Sequence, residues 1–437
     1  MKSPRFRQDL SLLDFTFLVI GAIVGDGIYV LTSMGASSLG PAQLLAWLAA
    51  GVLAAFIALA FVQCAAIDTE VGGSYAYART AFGPFIGFLA GWSLYLGEWL
   101  AVAAFPKAFF NYFHSLTGAP ASASLAVSLA LVATITLINF AGVRVGARAN
   151  DGLTAAKLVP LALFGLLGTV FLALHFGTAS DHVQPFAPVG WGDFGKTVLP
   201  IFWAYAGFEL AVLPAGEVRS AARTLPRGLI IGASIAMVVY LLVSFTAVIA
   251  LPWQSLAESS HPLASAMAAL FDAFGVRAGA GSRLMSVGGL VSIAGVYLVF
   301  TLGLARLSYA LALDGFFPNA FAKLHSQFRT PYVGLAFQAV SAIVFSTLFD
   351  LRTILSTAVL FLSLCYLLTA LSALRMVRRE PERALHLPGL RLLLIGAIAA
   401  SVFLAAQASL LQLQVAAAAV AAGVVVYVTR PLHSTVR

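Results

Sequence analysis

The sequence predicts an all-α membrane protein with about 12 transmembrane helices. Of its 437 residues, 61% are hydrophobic and 10% are charged, whereas charged residues make up about 25% of a soluble globular protein. The hydrophobic residues form long runs without alternation, such as 229–251 and 392–406. A run of about 20 apolar residues can cross a bilayer as a helix, while a membrane-barrel strand alternates apolar and polar residues. Helical spans are therefore favoured over a barrel.

Apolar segments joined by short connections account for nearly the whole chain. The predicted spans are residues 15–36, 41–66, 84–112, 123–143, 151–174, 195–215, 227–251, 283–313, 333–349, 353–375, 389–408 and 412–430. No connection between them is long enough to form a separate soluble domain. The charged segment before the first span resembles the start of a signal peptide, but Asp26 interrupts the apolar run and no small-residue cleavage site follows. We therefore interpret it as a retained first span.

The positions of the basic residues predict the orientation. Cytoplasmic loops are rich in Lys and Arg, and a cytoplasmic N-terminus puts 19 of the 25 basic residues inside and 4 outside. The inner residues are Lys2, Arg5, Arg7, Arg79, Arg144, Arg148, Arg219, Arg223, Arg227, Arg306, Lys323, Arg329, Arg375, Arg378, Arg379, Arg383, Arg391, Arg430 and Arg437; the outer residues are Lys196, Arg277, Arg283 and Arg352. We expect a multi-pass protein of the cell membrane with both termini cytoplasmic. The net charge of +8 then reflects topology rather than nucleic-acid binding.

Two predicted spans carry glycines and a carboxylate near mid-membrane. Span 1 contains Gly21-Ala-Ile-Val-Gly25-Asp26-Gly27, and span 6 contains Gly207-Phe208-Glu209. Non-helical backbone at this depth survives only where protein or a wet cavity satisfies it. Broken helices at corresponding places in two halves of a chain indicate a transporter's binding site. Because spans 1 and 6 are five apart, the breaks suit two five-helix units.

Four stretches of the chain resemble one superfamily of permeases. They are GAIVGDGIY at residues 21–29, GGSYAYARTAFGPFIGFLAGW at 72–92, YAGFELAVLPAGEVRSAARTLPRG at 205–228 and RLSYALALDGFFPNAFAKLHSQFRTP at 306–331. In this order they resemble the amino acid–polyamine–organocation (APC) superfamily. The resemblance implies a five-plus-five inverted repeat with discontinuous helices 1 and 6. It places the transport core within residues 1–380 and two additional C-terminal helices within 381–437.

The resemblance also implies a substrate site at the two breaks. The residues placed there are Ile23, Gly25, Asp26, Gly27, Trp203, Gly207, Phe208 and Glu209. The family usually has a small residue where this chain has Asp26, and the backbone there cradles a substrate carboxylate. A carboxylate at Asp26 would compete with it, which argues against an ordinary neutral amino acid. Two compatible roles remain open for Asp26: a substrate or coupling role, and an N-cap for the half-helix starting near Gly27. Trp203 and Phe208 suit gating, stacking or plain packing.

Three further charged groups stand out within the predicted spans, where a charge costs at least a few kcal/mol. In some proton-coupled members of the superfamily a lysine at the place of Lys157 takes the position of a sodium ion. A buried lysine can release its proton reversibly; the alternative is a static pair with Asp26 or a carbonyl. A glutamate at the place of Glu209 takes part in proton sensing in some members, and a bond to freed backbone amides is the alternative. Glu98 has the weakest case for a function.

Together these observations predict a secondary transporter of amino acids or related small amines, working by alternating access and coupled to protons through Lys157 and Glu209. Polyamine or cationic amino acid exchange is the alternative, with potassium transport a minor one. No phosphate-binding loop, metal cluster or nucleophile–base set is present in the sequence, so an ATP-driven pump, a metal site and an enzyme are disfavoured. We expect no cofactor, and a monomer or weak oligomer in the lipid bilayer.

The orientation can be tested with reporter fusions. A reporter at residue 180 should report the outer side and one at residue 325 the cytoplasmic side, because the basic segments flank residue 325. Alkaline phosphatase and green fluorescent protein fusions at both positions provide reciprocal signals. The same side for both positions would contradict the topology.

Overall fold

The computed structural model describes residues 10–70, 72–141, 143–213, 215 and 218–429, with the backbone alone at 143–151. Within these ranges every regular element is a helix, apart from an isolated bridge between Leu10 and Val218. Several residues used above lie outside the described residues: Lys2, Arg5, Arg7, Pro214, Gly216, Glu217, Arg430 and Arg437. The predicted all-α class is therefore confirmed for the described chain.

Each predicted span contains at least one helix. The first ten are α1 (Leu12–Ile23), α2 (Asp26–Leu39), α3 (Gln43–Ile67), α4 (Ser74–Phe82), α5 (Pro84–Ala101), α6 (Ala104–Thr117), α7 (Ser124–Phe140), α8 (Val143–Leu174), α9 (Phe176–Val183) and α10 (Phe194–Phe202). They are followed by α11 (Phe208–Ala211), α12 (Ala221–Ala250), α13 (Trp253–Glu258), α14 (Pro262–Ala273), α15 (Ala278–Leu313), α16 (Tyr332–Leu348), α17 (Leu351–Arg379), α18 (Leu390–Ala406) and α19 (Leu410–Thr429). Helices α4, α9, α13 and α14 lie in the connections between the predicted spans and were not predicted from the sequence.

Helix lengths and surface composition identify a multi-pass membrane protein. Among the described residues, eight helical stretches are long and apolar enough to cross a membrane, and three shorter helices are also apolar. Large apolar side chains are exposed on the outer helices, including Leu392 on α18 and Val428 on α19, each 74% exposed. Such surface suits lipid rather than water. The number of crossings, the inverted repeat and the division near residue 380 remain predictions.

Local sequence signals set where helices begin. Ser11 caps α1: its hydroxyl accepts from Asp14 N at 3.3 Å, and Asp14 Oδ2 accepts from Ser11 N at 2.8 Å. This reciprocal pattern is a capping box. Asp350 caps α17 by accepting from Thr353 N at 3.0 Å. Gly83, with φ of +95°, separates α4 from α5, and Pro84 then starts α5.

Two helices are interrupted where the glycines predict it. The first interruption is Val24 and Gly25, between α1 and α2. The second interruption is 203–207, between α10 and α11; it begins with the 3-10 turn Trp203–Tyr205 and ends at Gly207. Gly207 has φ of +118°, a conformation that L side chains rarely adopt. Both interruptions lie within helices that the sequence assigns to single spans.

The second interruption directly contacts the helix residues that flank the first. A Cβ on Gly207 would overlap the Ala22 carbonyl, and a Cβ on Gly27 would lie 2.6 Å from Ala204 Cα. From the sequence, a substrate site is expected at these two segments. In the structure glycines bring the backbones together instead, because a missing Cβ allows closer approach.

Neighbouring helices enclose this contact. Helix α1 packs against α12 and α8, and α10 packs against α3, α2 and α17. Helix α18 packs against α3 and α17, while α19 contacts α5 and α17. The interruptions therefore lie inside the bundle, away from the lipid-facing surface.

Replacing Gly207 by alanine tests the contact between the interruptions. Gly207→Ala should destabilise the protein by well above the ~1–2 kcal/mol that a left-handed alanine costs, because the new Cβ also overlaps the Ala22 carbonyl. Gly275→Ala is the matched control: Gly275 has φ of +70°, and its added Cβ would meet nothing within 4 Å. Thermal unfolding in detergent compares the two variants. Equal losses would contradict the close contact.

Candidate functional site

The carbonyls of the first interruption receive hydrogen bonds from three different helices. Lys157 Nζ on α8 donates to Gly21 O at 2.7 Å, and Tyr240 OH on α12 donates to Ile23 O at 2.7 Å. Ser292 Oγ on α15 lies 3.5 Å from Val24 O and 3.4 Å from Gly25 O. Because lipid supplies no donors, these side chains provide the hydrogen bonds that a broken helix lacks.

Lys157 interacts with a helix end rather than with a carboxylate. Its side chain is fully buried, and Gly21 belongs to the last turn of α1. The carbonyl end of a helix carries partial negative charge, which favours a cation. Of the two static alternatives, the carbonyl contact is the one observed, and Lys157 and Asp26 form no ion pair. A proton-coupling role for Lys157 remains a prediction.

Asp26 connects the first interruption to the second. It is the first residue of α2, and Gly25 is the N-cap, so the proposed capping role for Asp26 is wrong by one position. Its Oδ1 accepts from Trp203 Nε1 at 3.2 Å. Its Oδ2 is buried without a hydrogen-bond partner, and the residue is only 2% exposed. A buried carboxylate oxygen with no donor is costly unless a ligand or proton occupies it.

The aromatic residues of the site belong to two clusters. Trp203 contacts Phe300 edge-on, with ring centroids 5.6 Å apart, and Phe105 at 6.5 Å. Phe208 stacks on Tyr366 with centroids 5.8 Å apart and meets Phe61 edge-on at 5.2 Å. Both aromatics are therefore well packed in this conformation, and Trp203 also holds Asp26.

Glu209 ties the second interruption to α17. Its Oε2 accepts from Gly207 N at 3.0 Å, and its Oε1 accepts from Tyr366 OH at 2.8 Å. The side chain is fully buried. This is the bond to a freed backbone amide that the sequence analysis named as the alternative to proton sensing. The two roles are compatible, because a carboxylate that holds a helix break can also gain or lose a proton.

The predicted site residues do not form one cluster, but lie in separate groups on either side of the contact between the two broken helices. Asp26 and Trp203 bond to each other, whereas Glu209 bonds within its own segment. Ile23 and Phe208 line a cavity of about 170 Å³ between α3 and α12, which Tyr205 also borders. Asp26 is not among its lining residues. Their role in substrate binding stays a prediction.

Four participants escaped the sequence analysis or were undervalued by it. Tyr240 and Ser292 donate hydrogen bonds at the first interruption, Tyr366 donates to Glu209, and Glu98 contacts Glu209. Tyrosines and serines are common in membrane helices, so their presence alone carries no signal. Glu98 did carry a signal in the sequence, because an ionisable residue within a membrane span is costly and therefore indicates a structural or functional role. Among the described residues no group of three His, Cys, Asp or Glu side chains could hold a metal ion.

Comparison with known proteins reveals similar transporters. A branched-chain amino acid permease of Bacillus subtilis (strain 168) is 26% identical over 88% of this chain and 84% of its own length. A cationic amino acid transporter 4 of Mus musculus is 29% identical over 86% of this chain and 61% of its own. A serine/threonine exchanger of Bacillus subtilis (strain 168) is 26% identical over 91% of this chain and 90% of its own.

The family comparison covers nearly the whole chain. A family model described as amino acid permease matches residues 10–428, which include all four motifs of the sequence analysis and both interruptions. The relatives are transporters, and the resemblance drawn from the motifs is confirmed. The chain belongs to the amino acid permease family of the APC superfamily.

Proposed function

We propose that this protein is a secondary transporter of amino acids or related small amines, working by alternating access and coupled to protons. The observation that carries the proposal is the buried, unpartnered Oδ2 of Asp26 at the first interruption. The similarity to a branched-chain amino acid permease, a cationic amino acid transporter and a serine/threonine exchanger supports the substrate class. We place the protein in the cell membrane with both termini in the cytoplasm, on the evidence of its basic segments.

In this proposal Asp26 binds the substrate's amine. An ammonium group has three donors and no acceptor, which complements a carboxylate oxygen that has no hydrogen-bond partner. Such a charge-assisted bond is stronger than a neutral one. The substrate would replace or flank the Trp203 indole at Asp26, and the backbone of Ile23, Gly25, Gly27, Gly207 and Phe208 would complete the site.

Alternating access in this proposal begins with separation of the interruptions. The observed contacts, Gly207 on Ala22 and Trp203 on Asp26, close the region between them. A substrate that binds Asp26 competes with the indole for the carboxylate. It can therefore shift the population towards a conformation in which the segments lie apart, by as much as its affinity for the two conformations differs.

Proton coupling in this proposal depends on Lys157. A protonated Lys157 adds a positive charge to the carbonyl end of α1, at Gly21. Loss of the proton removes that charge and leaves a weaker hydrogen bond, so α1 is held less firmly. The two protonation states then favour different conformations. One proton crossing the membrane adds about 2.3 kcal/mol per 100 mV, which can drive accumulation.

The role of Asp26 is tested by neutralising it. Asp26→Asn keeps the shape and the Trp203 acceptor but removes the charge, so binding of an amine substrate should weaken about 10- to 100-fold, the equivalent of ~1.5–3 kcal/mol for a charged hydrogen bond. Binding of leucine, lysine and a diamine to purified protein is compared by isothermal titration.

Asp272→Asn is the control for this experiment, because Asp272 is an exposed residue of α14. It should leave binding unchanged, and both variants should unfold at the temperature of the unmutated protein. Unchanged affinity for every amine in Asp26→Asn would contradict the assignment. Separate affinities for the three compounds identify the substrate: a diamine lacks the carboxylate, and leucine lacks the second amine.

Lys157→Ala tests proton coupling. In liposomes with an inward proton gradient, the variant should lose gradient-driven uptake while it still binds substrate, because no titrating group then remains at Gly21. Uptake by the unmutated protein should not require sodium. Lys196→Ala is the matched control, since Lys196 is an exposed lysine paired with Asp193. Gradient-driven uptake by Lys157→Ala, or a sodium requirement in the unmutated protein, would contradict the proposal.

A further inference from the structure

Two buried carboxyl groups meet beside the second interruption. Glu98 lies on α5 and Glu209 on α11, and both side chains are fully buried. Their carboxyl groups are within hydrogen-bonding contact of each other. Gly97 allows α5 to approach α17 closely, since a Cβ there would lie 2.8 Å from Leu362 Cγ. The pair is thus enclosed between tightly packed helices.

The hydrogen-bond donors around the pair are distributed unequally. Glu209 accepts from Gly207 N at 3.0 Å through Oε2 and from Tyr366 OH at 2.8 Å through Oε1. No N–H or O–H group of the described chain donates to either oxygen of Glu98. Ionised carboxylates need donors on their oxygens, whereas a protonated carboxyl supplies one of its own. The surrounding donors therefore favour the ionised form of Glu209, and their absence favours the neutral, protonated form of Glu98.

Electrostatics requires at least one proton on the pair. Two carboxylates in contact repel each other, and burial removes the water that would screen them, so the two cannot both be ionised while they remain in this contact. Among the described residues no Lys, Arg or His forms an ion pair with either group. The other titratable side chains that interact with the pair are Tyr366 and Cys365, both on α17, and both are neutral in their ordinary forms near pH 7.

We propose that Glu98 and Glu209 share one proton and form a second protonation site, in which Glu98 carries the proton and donates it in a hydrogen bond to Glu209. The site differs from Lys157 in position, because Lys157 bonds to the first interruption and the pair adjoins the second. Glu209 also holds Gly207, the residue in contact with Ala22. Loss of the shared proton would place two anions side by side and strain that contact.

The site has a defined place in the transport cycle. Deprotonation pushes α5 and α11 apart and weakens the hold of Glu209 on the second interruption, which favours separation of the interruptions. This coupling role rests on the proposed proton-linked transport. The shared proton itself does not, since it follows from the burial and donors of two residues.

Infrared spectroscopy detects the shared proton without any transport. Full-length protein in lipid vesicles at pH 7 should show the carbonyl stretch of a neutral carboxylic acid, shifted in D₂O. Glu98→Gln should abolish the component due to this acid, because glutamine donates to Glu209 in its place. Glu258→Gln is the control, as Glu258 is an exposed carboxylate in α13, and it should keep the band. Asp26→Asn identifies any contribution from Asp26.

Glu209→Gln keeps the assignment testable if Glu98→Gln does not fold. In Glu209→Gln the neutral acid should remain, at a shifted frequency, because Glu98 still carries the proton. Absence of a neutral-acid band in the unmutated protein at pH 7 would overturn the proposal. So would a band that keeps its full intensity in Glu98→Gln once the Asp26 contribution is subtracted, or one that is lost in Glu209→Gln.

Transport measurements test the coupling role separately. In liposomes the pH profile of uptake by Glu98→Gln should lose one of the steps of the unmutated profile, while Lys157→Ala should keep that step in substrate exchange. An unchanged profile in Glu98→Gln would overturn the coupling role. If the unmutated protein carries no amino acid or amine, the proposed function fails, yet the infrared bands still decide whether the proton is shared.

Discussion

A backbone group that leaves a helix inside a membrane must find its hydrogen bond within the protein, and this constraint determines the centre of the bundle. The first interruption frees carbonyls, so its neighbours are donors: Lys157, Tyr240 and Ser292 reach it from three helices. The second interruption frees the amide of Gly207, so its neighbour is an acceptor, Glu209. The interruptions persist because each is surrounded by groups of complementary hydrogen-bonding character.

The same complementarity applies to charge. Lys157 lies at the carbonyl end of α1, and Asp26 begins α2 at its amide end. Each therefore faces the partial charge of opposite sign that a helix end presents. This arrangement stabilises both groups without pairing them with each other. It also leaves an acceptor available, Oδ2 of Asp26, which an Asp26–Lys157 pair would have occupied.

Features that interrupt the apolar pattern of a membrane span, such as a glycine or a charged residue, could be predicted from the sequence. Glycines within apolar runs indicated both interruptions, and charges within spans indicated Asp26, Lys157 and Glu209. Residues that obey local rules gave no such signal: Tyr240 and Tyr366 are ordinary in apolar helices, and their roles depend on which carbonyl or carboxylate lies opposite. The partners of Lys157 and Glu98 depend on tertiary packing. The direct contact of the interruptions likewise depends on how two distant glycines meet, which a single sequence does not specify.

The two proposed protonation sites differ in the charge that remains after each releases its proton. Lys157 becomes neutral, so the carbonyl end of α1 loses the positive charge at Gly21. The Glu98–Glu209 pair becomes doubly negative, so the second interruption gains a repulsion where it had a hydrogen bond. One change removes an attraction and the other adds a repulsion, yet both loosen segments that meet at Gly207 and Ala22. The touching arrangement should therefore be the form favoured when both sites hold their protons, and release of either proton should favour separation.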